Sequence, residues 1–152
     1  MSDTAAPIEL APKRRPRARK ALHGIRIGGR WVHLALTVAV IVGVFVQVYL
    51  IGSYIFGAGE SALDAHKSMG WTVHGFELLV FVAALVAWLP RLDVALSLSL
   101  AVVGTVQVTL ASEHRWVGGL HPLLALVVVA LAATLALRAI RRRRDARFLE
   151  RS

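Results

Sequence analysis

The sequence predicts an all-α, polytopic membrane protein: an up-down-up-down bundle of four transmembrane helices with both termini in the cytoplasm. Four runs, residues 31–55, 71–89, 92–111 and 120–137, are apolar and long enough to cross a hydrocarbon core about 30 Å thick. Hydrophobic residues make up 57% of the 152, and the mean hydropathy of +0.63 is more than a water-soluble domain usually sustains. The positive charge lies outside the runs. Of 18 Lys and Arg, eight precede Trp31 and seven follow Leu137. Cationic residues flanking the spans mark the cytoplasmic face, and an even number of spans returns the chain to it.

Taken in order, residues 1–30 read as a disordered basic cytoplasmic tail, with Pro7, Pro12 and Pro16 among charges. Residues 31–140 form the transmembrane domain. The first span has Trp31 and His33 at its inner end and Tyr49 and Tyr54 at its outer end, as interfacial belts do. In the second, Ser61 followed by Asp64 fits an N-cap box, so the helix is expected to start outside the bilayer. Pro90 ends it, and Pro90-Arg91-Leu92-Asp93 reads as a tight inner turn. Ser97, Ser99, Thr105, Gln107 and Thr109 dot the third span, suiting close helix packing in lipid. The fourth opens Leu120-His121-Pro122, where proline is tolerated near a helix start. Residues 141–152 are a second basic cytoplasmic tail. Short connections make sequential helices antiparallel and put the second and fourth on a diagonal.

The net charge of +9 raises nucleic acid as a partner, but no aromatic or fold signature accompanies it, and the placement is that of a topology signal. The expected partners are the bilayer, anionic lipid headgroups at the basic tails, and a redox partner or larger membrane complex. The absence of cysteine excludes disulfides, iron–sulfur clusters and thiolate chemistry. No phosphate loop, nucleophile elbow or His-Glu-x-x-His run is present. The expected location is the inner (plasma) membrane.

Ionisable and amide groups inside the spans are costly and so are the functional candidates. Counted from the cytoplasmic end, Gln47, His74, Gln107 and His121 each stand 16 or 17 residues up. At about 1.5 Å per residue that is one polar layer roughly 25 Å above the inner surface. His74 and His121, on parallel-running diagonal helices, then face each other at one height. Two neutral imidazoles across a bundle are an axial ligand set for haem b. Gly75, with Gly43 and Gly104, would leave room for a flat macrocycle, and Gln47 and Gln107 would bond its edge or the ligands' outer nitrogens. Glu77 lies one turn below His74, as a structural bond or a proton contact. His66 and His114 form a level roughly 10–12 Å further out. They would meet propionates or, with Asp64 and Glu113, hold zinc or copper. The alternative without a cofactor is a structural or assembly subunit whose polar layer fixes helix packing.

The segment Asp64-Ala65-His66-Lys67-Ser68-Met69-Gly70-Trp71 is similar to the acidic-x-x-His-Arg-x-x-Gly entrance to a helix in haem A synthases. Gly119-Leu120-His121-Pro122-Leu123-Leu124-Ala125 looks like the ligand-bearing helix two spans later in one half of that enzyme. The pattern also resembles a family of small four-span bacterial membrane proteins, and more distantly cytochrome b-type histidine bundles. The resemblance covers about residues 31–138, with lysine at 67 in place of arginine and one half of the duplicated synthase. It implies four-helix construction and His66 and His121 as the ligand pair. Motif therefore points to His66 and depth to His74 as the partner of His121. The two differ by about 80° around an ideal helix, and the demand for matched height favours His74.

Overall fold

The computed structural model describes residues 16–111 and 115–149. It contains α1 (Pro16–Ile55), α2 (Glu60–Val86), α3 (Arg91–Leu110), the single turn α4 (Arg115–Gly118) and α5 (Leu120–Leu149). Four of these, all but α4, are long and apolar enough to cross a membrane.

α1 is 40 residues long, about 60 Å, twice the thickness of a hydrocarbon core. Its helical state corrects the reading of residues 16–30 as disordered; residues 1–15 lie outside the described part. Pro16 opens the helix, where a missing N–H costs nothing. The Ala, Arg, Lys and Leu that follow are among the best helix formers, so the apolar span propagates back through them. α5 likewise continues through the arginine block. The N-cap of α2 is Gly59, with φ of 82° and no side-chain capping bond, so the Ser61–Asp64 box is not formed. Gly57 and Gly59 both take positive φ, which lets a short loop reverse the chain. At the other end of α2 the helix stops at Val86, and Trp88 takes φ of 47° ahead of Pro90. Pro90 is the N-cap of α3.

α1 packs on α2, α2 on α3, α3 on α5, and α5 back on α1. The core is a thin column of Val40, Val44, Val73, Val80, Leu100, Val128, Ala132 and Leu135. Phe45, Leu126 and many other large apolar side chains point outward. Only 22–33% of each apolar span is buried, a surface suited to lipid rather than water.

Burial repeats along the chain. In α1 residues 33, 37, 40 and 44 are buried, and in α3 residues 93, 97, 100 and 104, a constant shift of 60. In α2 residues 73, 77, 80 and 84 are buried, and in α5 residues 128, 132, 135 and 139, a constant shift of 55. The first shift carries Gln47 onto Gln107 and the second carries His66 onto His121. The pairs α1–α2 and α3–α5 are thus two versions of one hairpin, with His33 and Asp93 at matching positions.

Asp93 is fully buried in the first turn of α3. The Nε of Arg138 donates to its Oδ1 at 2.6 Å, and Arg142 pairs with its other oxygen. His33, expected as an interfacial anchor, is also buried. Ser97 Oγ donates to the Asp93 carbonyl at 2.8 Å, so at 3.1 Å it accepts from His33 Nε2–H. These bonds tie α1, α3 and α5 together at the end of the molecule nearest both tails.

Candidate polar cavity between four helices

At the opposite end, the helices leave a half-open cavity of about 970 Å³. Its polar lining comprises Gln47, His66, Lys67, His74, Glu77, Gln107 and His121; Val44, Trp71, Val73 and Leu126 belong to the apolar wall. A largely apolar cavity with a few convergent polar groups is the form of a small-molecule or cofactor site.

His66 lies two turns into α2, and its Nδ1 is 3.1 Å from the Gln47 carbonyl oxygen on α1. His121 is the second residue of α5, and its Nδ1 is 3.0 Å from the Gln107 carbonyl oxygen on α3. A carbonyl oxygen only accepts, so each Nδ1 carries the proton, and in the neutral ring each Nε2 keeps its lone pair. The two ring centres are 6.3 Å apart, with planes at 79°. Pro122 fits beside His121 because the N–H groups of a first helical turn need no intrahelical partner.

His74 does not join this pair. Its Nδ1 is 3.0 Å from Glu77 Oε2, and its ring stands edge-on to Trp71. His121 has His66 as its ring neighbour, where the height count expects His74. That count starts at Pro90, but α2 ends at Val86, so it lifts His74 by four residues, roughly 6 Å. The direction around the helix, about 80° from His66, turns His74 toward Glu77 on its own helix. Gln47 and Gln107 do hold the outer nitrogens of His66 and His121, but through main-chain oxygens rather than side chains. The Gln47 Oε1 is buried and has no hydrogen-bond partner.

Two of the three glycines expected to leave room are filled. Gly43 receives Val73, and Gly104 receives the Glu77 carboxylate, so both are filled from α2. Gly75 faces open space. Gly70, where a Cβ would come within 2.9 Å of Gln47 Nε2, lines the cavity and leaves room for that amide. Because a Cβ on residue 104 would push the flexible Glu77 carboxylate away from His74, Gly104→Ala should destabilise the protein by about 0.5–1.5 kcal/mol, the worth of one hydrogen bond. In a Glu77→Ala background the same change should be nearly neutral, and equal losses in both backgrounds in thermal denaturation would disprove the contact.

Comparison with protein-family models, curated proteins and solved structures gave no match.

The outward zinc or copper set is not assembled among the described residues. Asp64 is exposed and 3.8 Å from Lys67, and Glu113 and His114 lie outside the described part. No group of three or more His, Asp or Glu among the described residues is placed to hold a metal ion. A set of two imidazoles suits a metal whose other donors arrive with it.

Asp93, Arg138 and Arg142 are not candidates on sequence, where Asp93 falls in a turn and the arginines in a topology signal. The one trace of them in the sequence is the shift of 60 that puts Asp93 where α1 has His33.

Proposed function

We propose that this chain is a haem b-binding protein of the inner membrane, in which His66 and His121 would hold the haem iron, serving as an electron-transfer module or an accessory subunit of a respiratory or haem-handling assembly. One observation carries the reading: two imidazoles with their Nδ1–H groups committed to backbone carbonyls stand 6.3 Å apart on one cavity. Imidazole nitrogens bind a metal at about 2.0–2.1 Å, so a pair of rings this close could both reach one ion. The main-chain bond behind each ring fixes the tautomer that leaves Nε2 as the ligating atom and raises its basicity. Haem would supply one-electron chemistry; the protein would supply two ligands and an apolar wall.

The orientation belongs to the same proposal. The ring of helix contacts and the bonds His66–Gln47, His121–Gln107 and Arg138–Asp93 support an antiparallel, up-down-up-down bundle. The basic ends of α1 and α5 favour the cytoplasm for both tails. The cavity then lies in the outer half of the membrane, and a redox partner would approach from outside.

Purification from haem-replete cells should give a species with a Soret band that sharpens on reduction, at about one haem per chain. A colourless, stably folded preparation would refute the assignment, and stoichiometric zinc without iron would replace haem with a metal ion. A tag after Ser152 should resist protease added to intact cells; cleavage would reverse the orientation.

A further inference from the structure

At the end of the molecule away from the cavity, α1 and α5 leave a crevice of about 260 Å³ lined by Trp31, Leu34, Ile140, Arg143 and Arg144. The set includes two arginines and no acid. Leu34 and Ile140 lie about one helical turn nearer the middle of the span than Trp31 and the arginines, so the crevice is charged at one end and apolar at the other. Trp31 is half exposed, as expected of an aromatic ring at a membrane–water boundary.

Arg143 is held in place. Its guanidinium carbon lies 3.3 Å from the centre of the Trp31 ring, and its Nη2 donates to the Arg30 carbonyl at 3.1 Å. Stacking and the fixed fork of a guanidinium reduce the ordering cost of meeting a phosphate. Among the described residues, the buried Asp93 pairs with Arg138 and Arg142 on another face of α5.

We infer that this crevice is a binding site for one anionic phospholipid, its phosphate between Arg143 and Arg144 and the start of an acyl chain along Leu34 and Ile140. A basic pocket between spans on the cytoplasmic side is the form such recognition takes. The apolar end separates a lipid from free phosphate, which would gain nothing from Leu34 or Ile140. The inference rests on the membrane-spanning reading and not on haem, and it stands whether or not the preparation is coloured.

The test uses the full chain in detergent, supplied with phosphatidylglycerol or phosphatidylcholine and washed, with bound lipid counted by native mass spectrometry. The wild type should retain one phosphatidylglycerol per chain in preference to phosphatidylcholine. Loss of about 1 kcal/mol of attraction per arginine weakens retention about fivefold for Arg144→Gln, and about 25-fold for Arg143→Gln with Arg144→Gln. Arg144 is exposed, so its single variant reports binding even if the double variant folds poorly. Arg141→Gln removes the same charge from the same helix outside the crevice and should leave retention unchanged. Equal loss in the Arg141 variant would mean diffuse attraction and overturn the site. So would equal retention of phosphatidylcholine, or displacement of the lipid by millimolar inorganic phosphate.

Discussion

Alanine at His121 is expected to remove the Soret band, and alanine at His66 to do the same, while alanine at His74 leaves it in place. Replacing groups that merely orient a metal ligand lowers affinity about 10–100-fold, so losing the ligand itself should exceed that range. The contrast between His66 and His74 is the informative part, because both line the cavity on the same helix. His66 has its Nδ1 on the Gln47 carbonyl and its ring beside His121. His74 is engaged by Glu77. Its removal should change the environment of the cavity, and so band position or potential, without abolishing binding. Absorbance per mole of folded protein, with iron content, decides the matter. If His74→Ala loses the spectrum and His66→Ala keeps it, the ligand assignment is wrong.

The Asp93 clamp should give the largest stability effect in the molecule. Replacing Arg138 and Arg142 together by leucine strands a carboxylate that is fully buried, and a buried charge without its partner costs about 3–5 kcal/mol. The reverse deletion should cost less. The arginine side chains are 36% and 34% exposed, so after Asp93→Asn they can extend to the headgroup region. Adding Asp93→Asn to the double leucine variant should therefore recover most of the loss. Thermal unfolding in detergent reads all three variants. A double leucine variant as stable as wild type, or one that Asp93→Asn fails to rescue, would show that the clamp carries no such energy.

The four spans were legible because uninterrupted apolar runs between charged ends have few alternative structures in a membrane. The helical state of residues 16–30 was not, since charge and proline outweighed the helix preference of alanine, arginine and leucine once a span was there to extend. His121 could be found from sequence by either route, depth or motif. Its neighbour could not be settled by counting, because the count depends on where α2 ends, and α2 stops at Val86 instead of at the conspicuous proline. The pairing of Asp93 with Arg138, 45 residues away, has no local signature at all. Long-range ion pairs of this kind follow from helix packing, which hydropathy does not encode.

Because each hairpin contributes a single imidazole, neither could bind haem by this pair alone. A molecule gripped by both rings would act as a clasp across the rim farther from the tails, while the carboxylate–guanidinium knot fastens the rim nearer to them. Emptying the site would then unbutton the far edge only, leaving two hinged halves still joined near their roots.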